Sequence, residues 1–344
     1  MPRRLPVYVL LDCSESMIGS GIEGVRLSVD AMLKELRRNP HALETVWLSF
    51  ITFDNEARQL MPLQPLDEVQ PPALQVCPGT ALGAALRLVA ASIRSEVKST
   101  TITEKGDYRP LIFLITDGQA TDEWQSSIAH LDTRSATRPA NLYAIGCGAD
   151  VDYAALQSIT DVVLRMDDMG LDSFGKLFVW LTASVSSASQ GVEETNDGKI
   201  MLEKLPDNVE AVTGKAAPLP DGPPRQAFLR ARCSIKRFPY LMRYRFDNTF
   251  GCYQPVKAHR LSDEEARSSS QGHLPDIPSQ LLNGAPACPW CERPGAGSCG
   301  NCGTIFCSDP NDKTDTKCPG CGNILKRDPR GNEGKGFNVR QSGG

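Results

Sequence analysis

Five oxygen-bearing residues fall in three short stretches of this 344-residue chain. Asp12, Ser14 and Ser16 alternate in Asp12-Cys13-Ser14-Glu15-Ser16, Thr80 follows Pro78-Gly79, and Asp117 follows Thr116 and precedes Gly118. Two carboxylates and three hydroxyls are hard donors. A set of hard donors that leaves room for water suits Mg²⁺, with Mn²⁺ or Ca²⁺ as the other candidates. Asp and Ser after a strand also cap helices and build turns, so the metal reading rests on the three stretches meeting at one place. Cys13, between two of the donors, reads as a packing residue.

A second set is made of sulfur. Seven of the twelve cysteines, Cys288, Cys291, Cys299, Cys302, Cys307, Cys318 and Cys321, crowd into 34 residues. They include three Cys-x-x-Cys pairs, two of them followed by glycine, which is the spacing of zinc knuckles. Four thiolates close one zinc site. The remaining three make a second only with another donor, for which Cys233, Cys252, His259, His273 and nearby Asp residues all qualify. Pairing does not follow from spacing. A closed four-thiolate site has no open position for catalysis, so this module is expected to fold the chain around metal.

Other chemistries are excluded by position. Gly19-Ser20-Gly21-Ile22-Glu23-Gly24 matches a dinucleotide-binding pattern, but its glycines start seven residues after the strand ends instead of directly on it. There is no GxxxxGK[ST] loop for a nucleotide. A paired-aspartate phosphatase lacks its second carboxylate, because position 14 is Ser. The four histidines stand in no nucleophile–base arrangement. Net charge is −4 with 23% charged and 40% hydrophobic residues, an ordinary globular balance that excludes collagenous, wholly disordered and polybasic chains. The Leu5–Leu11 run reads as a buried first strand rather than an export signal, and no apolar segment reaches the roughly 20 residues that span a bilayer. The expected location is the reducing cytoplasm, where clustered thiols hold metal.

The elements that must position the oxygen set are legible. Pro6–Leu11, Val46–Phe53, Leu111–Thr116, Leu142–Gly146 and Val162–Met166 are continuous apolar runs, as strands buried on both faces are. Ile22, Val25, Val29, Met32, Leu33 and Leu36 form one helical stripe, and Leu82, Leu86, Val89 and Ile93 another. Alternating strands and helices predict an α/β, doubly wound, mostly parallel sheet, with ligands at the carboxyl ends of its strands. The domain is expected to span residues 1–190. Residues 191–222, polar and then Pro/Gly-rich, read as a linker. Phe228–Phe246 reads as a β-hairpin turning near Arg237–Pro239, with Leu229, Ala231, Cys233 and Ile235 on one face. Residues 223–260 hold nine Lys or Arg against one acid, Asp247, and seven aromatics. A solvated sheet face explains that stripe, and contact with nucleic acid or a phosphorylated segment is the alternative. From about residue 326 the chain is polar and Gly-rich, a flexible tail.

Asp12-x-Ser14-x-Ser16, then Thr80, then Asp117 in Thr-Asp-Gly, resemble the metal-ion-dependent adhesion site of von Willebrand factor A domains. The resemblance covers about residues 5–190. It implies that Ser14, Ser16 and Thr80 ligate the ion closely, that Asp12 and Asp117 act mostly through water, and that a partner carboxylate takes an open position. Followed by Phe228-Leu-Arg-Ala-Arg-Cys-Ser234, Pro239-Tyr-Leu-Met242 and the cysteine array, the chain is similar to the TerY family of bacterial tellurium-resistance and stress-response systems. That likeness makes 223–325 a single small, β-rich, zinc-ribbon-like domain. It implies a cytoplasmic, non-enzymatic adaptor acting with a protein kinase and a protein phosphatase. The alternative is a zinc-ribbon nucleic-acid-binding or ubiquitin-ligase-like factor recruited through its A domain.

Overall fold

The structure is a computed structural model that describes residues 3–101, 103–131, 139–191, 203–214, 226–262, 266, 276–312, 314–325 and 338–339. The chain divides into two compact units, Met1–Pro220 and Asp221–Gly344.

The first unit is a sheet between two helical layers. In chain order its elements are β1 (Leu5–Asp12), α1 (Ser20–Leu36), α2 (Pro40–Thr45), β2 (Val46–Phe53), β3 (Ala57–Gln59), β4 (Gln64–Pro65) and α3 (Leu82–Glu96). There follow β5 (Leu111–Thr116), β6 (Asn141–Cys147), α4 (Tyr153–Ile159), β7 (Val163–Met166), α5 (Leu171–Gly191) and β8 (Glu210–Ala211). The strand order is β3-β2-β1-β5-β6-β7-β8, with β4 also paired to β2. β2, β1, β5, β6 and β7 run parallel, while β3, β4 and β8 are antiparallel additions at the margins. All five strands expected from the apolar runs are present.

Alternation along β1 divides the core. Leu5, Val7, Val9 and Leu11 pack with α1, α2 and α5, whereas Tyr8 and Leu10 pack with α3 and α4. Both predicted helical stripes face inward: Val25, Val29, Met32, Leu33 and Leu36 on α1, and Leu82, Leu86, Val89 and Ile93 on α3. The glycines of the misleading dinucleotide pattern have a packing role. A Cβ on Gly24 would lie 2.8 Å from Cδ2 of Phe174, so its absence lets α1 approach α5.

Two readings of the connections are corrected. Residues 203–214, expected within the linker, belong to the first unit. Val209 is buried against its core, Trp180 donates to the Glu203 carbonyl, and β8 extends the sheet. Scattered apolar residues too few to show a period made this segment look like linker. Residues 192–202 and 215–225 lie outside the described residues. In the expected tail, Val339 is buried and pairs with Ile277, joining residues 62 positions apart, and Asn338 pairs with Pro278; the rest of 326–344 lies outside the described residues.

The second unit contains β9 (Gln226–Arg232), β10 (Pro239–Asp247), β11 (Cys252–Arg260), β12 (Ile277–Pro278), β13 (Gly295–Ser298), β14 (Ile305–Ser308), β15 (Thr316–Lys317), β16 (Ile324–Leu325) and β17 (Asn338–Val339). A five-stranded sheet runs β11-β10-β9-β14-β13. The expected hairpin is β9–β10, with Leu229 opposite Met242 and Ala231 opposite Tyr240. β14 joins β9 in parallel, so the hairpin and the cysteine region share one sheet. Ile235 does not continue the face of Leu229, Ala231 and Cys233 and is 58% exposed, because the strand ends at Arg232 and the chain turns at Cys233. Arg230, on the face opposite Leu229 and Ala231, donates to the Ala266 carbonyl.

Candidate metal centres

The first centre lies where the strand order reverses. β1 is flanked by β2 on one side and β5 on the other, and chains leaving the carboxyl ends of β1 and β5 part there. Asp12 closes β1 and Asp117 directly follows β5, so side-by-side strand pairing sets the two carboxylates together. After Asp12 a single 3-10 turn, Glu15–Met17, returns Ser16 toward the strand ends. The Ser14 amide donates to Asp12 Oδ1 at 2.9 Å, the Ser14 and Ser16 hydroxyls lie 2.8 Å apart, and Ser16 donates to Asp117 Oδ1 at 2.5 Å. Thr116 Oγ1 donates to Asp12 Oδ2.

Thr80 arrives from a different direction. Gly79 has φ +91°, a left-handed turn that places its α-carbon against the Asn55 backbone. Thr80 and Thr121 then bond reciprocally: the Thr80 amide donates to Thr121 Oγ1, and the Thr121 amide to the Thr80 carbonyl, each at 2.9 Å. Asp122 caps α3 from outside, accepting from the amides of Gly83 at 2.9 Å and Ala84 at 3.0 Å. The Thr80 loop and the Asp117 loop are therefore tied together.

Gly118 locates the space that these groups enclose. A Cβ built there would stand 3.2 Å from Thr80 Oγ1, 3.7 Å from Ser16 Oγ and 3.8 Å from Asp12 Oδ2. Oxygens from two loops thus border one small volume beside the third loop, which a side chain on Gly118 would fill. Asp12, Ser14, Ser16, Thr80 and Asp117 are each at most 6% exposed. Burial pushes the Asp12 carboxyl up to about 6, with hydrogen bonds from Ser14 and Thr116 acting the other way. A buried oxygen cluster of this kind has the donor chemistry for a hard cation. Cys13 packs in the core beside Leu11 and Met17, and burial raises its thiol well above the usual range, so it fits its expected packing role.

The other two centres are thiol clusters in the second unit. Cys233, Cys288, Cys291 and Cys307 form one, and Cys299, Cys302, Cys318 and Cys321 the other; within each, the sulfurs all lie within 4.8 Å of one another. Contacts of 3.5 Å (Cys291–Cys307), 3.7 Å (Cys299–Cys321) and 3.6 Å (Cys302–Cys318) are close to the edge of a ZnS₄ tetrahedron, about 3.8 Å for Zn–S bonds of about 2.3 Å. All seven expected cysteines are placed. The open eighth position falls to Cys233. Cys252 and His259 lie on β11 outside both clusters, and His273 is not among the described residues.

Four turns of one design hold the sulfurs. In each, the first cysteine accepts from the amide four residues on and donates to the carbonyl five residues on. The pairs are Cys288 with Glu292 and Arg293, Cys299 with Gly303 and Thr304, Cys318 with Gly322 and Asn323, and Cys233 with Arg237 and Phe238. The residue four on has positive φ every time: Glu292 +62°, Gly303 +72°, Gly322 +80° and Arg237 +64°. Cys233 therefore heads a knuckle in which Lys236 stands where the second cysteine would be, and Cys307 on β14 completes that cluster. No Cys-x-x-Cys spacing announces this turn, and neither Arg237 nor Glu292 carries the glycine signal.

Two family models match the chain in these regions. Residues 7–171 match the von Willebrand factor type A domain, and residues 225–344 match the TerY-C metal binding domain. The chain matches a TerY-type von Willebrand A protein. Its A domain holds the oxygen centre, and its TerY-C domain binds metal through the cysteine clusters. No curated protein matches the chain. Among solved structures, proximal thread matrix protein 1 from the mussel byssus is 16% identical, with a TM-score of 0.41, over 54% of this chain and 48% of that one. A second form of the mussel protein has a zinc-occupied MIDAS motif. The ArnB paralog VWA2 from Sulfolobus acidocaldarius is 15% identical, with a TM-score of 0.37, over 78% of this chain and 69% of that one. The chain thus spans about half the length of the mussel protein, and at these scores the assignment rests on the family models. Among the described residues, no helix is long and apolar enough to cross a membrane.

Proposed function

We propose that this TerY-type protein is a non-enzymatic, metal-dependent adaptor whose A domain captures a partner protein through a carboxylate. The observation that carries the reading is the meeting of Asp12, Ser16 and Thr80 oxygens around the space at Gly118, with Ser14 and Asp117 bonded into the same cluster. Asp12, Ser14, Ser16, Thr80 and Asp117 would hold the cation. Mg²⁺ suits this hard, oxygen-only set best, ahead of Mn²⁺ and Ca²⁺. A dication there supplies an electrophilic centre for an Asp or Glu offered from outside. The chain's own residues do the rest: Ser16 orients Asp117, Thr116 orients Asp12, and the Thr121–Thr80 pair holds the third loop in place.

The TerY-C domain contributes two four-thiolate sites suited to zinc. Four thiolates leave a tetrahedral ion no open position, which supports a folding role there and an adaptor rather than an enzyme. The TerY likeness extends the proposal to a cytoplasmic stress-response or tellurium-resistance system, with a protein kinase and a protein phosphatase as partners.

Two measurements test this. Titration of the purified chain with Mn²⁺ should show a site that Asp12→Ala and Ser14→Ala both abolish while circular dichroism is unchanged. Affinity capture from bacterial lysate should be lost in EDTA and in both variants. A partner retained in EDTA or by Asp12→Ala would overturn the reading.

A further inference from the structure

The two thiol clusters are not equally protected. In the first, Cys233, Cys288 and Cys307 are buried and Cys291 is half-buried. That cluster sits on the five-stranded sheet, in a core that includes Tyr240, Met242, Tyr244 and Tyr253. In the second, Cys299 and Cys318 are buried, but Cys302 and Cys321 are exposed. Among the described residues its apolar support is one buried phenylalanine, Phe306, with Leu325 packed alongside. Cys318 and Cys321 hang on the β15–β16 ribbon, which is paired over only two positions, Thr316 with Leu325 and Lys317 with Ile324. A metal here would hold together a segment with little core of its own among the described residues.

We propose that the exposed edge formed by Cys302 and Cys321 is an oxidation site, through which peroxides remove zinc from the second cluster while the first keeps its metal. Oxidation of thiols follows thiolate character and access. Zinc-bound cysteines are already thiolates, so access decides between the clusters, and the second alone contains exposed cysteines, Cys302 and Cys321.

The chemistry closes without other reagents. An exposed thiolate attacks hydrogen peroxide, the O–O bond breaks, and the products are a sulfenic acid and hydroxide. A second thiolate of the same cluster displaces hydroxide from that sulfur and forms the S–S bond. Suitable neighbours are present: Cys321 lies 3.7 Å from Cys299, and Cys302 lies 3.6 Å from Cys318. Two sulfurs have lost two electrons, one peroxide has become two hydroxides that take up protons to give water, and Zn²⁺ leaves with only two thiolates remaining. The consequence is local. The segment carrying β15 and β16 loosens, whereas β9, β10 and β11 stay around the first cluster.

The experiment uses the full chain loaded with zinc and treated with hydrogen peroxide. Released zinc is followed with a chromogenic chelator, and disulfides are mapped by alkylation and mass spectrometry. One equivalent should leave roughly tenfold faster than the other, or more, because exposure sets the rate. The early disulfide should lie within Cys299, Cys302, Cys318 and Cys321. Cys302→Ser, even if it purifies with one zinc, should lack the fast phase and keep the slow one. Release of both ions at a single rate, or an early disulfide among Cys233, Cys288, Cys291 and Cys307, would overturn the proposal.

Discussion

The Ser16 hydroxyl donates to Asp117 Oδ1 at 2.5 Å across 101 residues of chain. This bond joins the loop after β1 to the loop after β5, and both residues are almost fully buried. Ser16→Ala should therefore weaken Mn²⁺ binding by the full chain. It should also destabilise the metal-free A domain by about 1.5–3 kcal/mol in urea, the range for a hydrogen bond to a charged group. Unchanged values in both measurements would remove Ser16 from the site.

Asp12 predicts an unusual pH dependence. Its carboxyl is raised by burial from 3.8 to about 6, so between those values the native state binds more protons than the unfolded chain. In EDTA, stability attributable to Asp12 is present at low pH and is lost as pH rises through about 6. Denaturation of the wild type and Asp12→Asn at pH 5 and pH 7.5 should show a smaller loss on raising pH in the variant. With a cation the dependence inverts, and Mn²⁺ affinity should fall as pH drops below about 6.

Gly24 should tolerate no side chain. A Cβ there meets Phe174 at 2.8 Å in the α1–α5 contact. Gly24→Ala should cost about 1–3 kcal/mol through overpacking, read as a lowered melting temperature. A neutral result would mean that Phe174 shifts freely.

Asp122 is expected to act through α3. The helix has no capping side chain of its own at Ala81, and the Asp122 carboxylate takes the amides of Gly83 and Ala84 instead. Asp122→Ala should lower stability by about 1 kcal/mol, and Asp122→Asn, which still accepts, should recover most of it. The same ordering in Mn²⁺ affinity would show that the cap also keeps Thr80 in place.

Cys233 should prove indispensable to one zinc and not to the other. Native mass spectrometry of Cys233→Ser should show loss of the first zinc with the second retained, while His259→Gln should keep both. Equal zinc content in wild type and Cys233→Ser would exclude Cys233 as a ligand.

The five parallel strands were legible because burial on both faces demands continuous apolar runs, and both helical stripes because one face of each helix meets the sheet. The oxygen donors could be picked out for a related reason. Donors that follow strands of one parallel sheet must share its carboxyl edge, so order along the chain already implies neighbourhood in space. The same reasoning picked out the three Cys-x-x-Cys knuckles, whose turns are local.

Other features depended on contacts that no local pattern encodes. Cys233 is 55 residues from Cys288, and only the parallel pairing of β14 with β9 sets it beside Cys307. Thr116, Thr121 and Asp122 look like ordinary loop and strand-end residues until folding aims their oxygens at Asp12, the Thr80 amide and the start of α3. Residues 203–214 carried too little periodicity to reveal an edge strand, and their place comes from Val209 finding an apolar seat. The sequence by itself thus determined the sheet, its helices and the chemical kind of each metal centre, since these depend on side-chain type and short-range period. The tertiary structure decided which sulfurs share an ion, which polar groups brace the oxygens and which thiolates face water, since those depend on residues brought together from far apart in the chain.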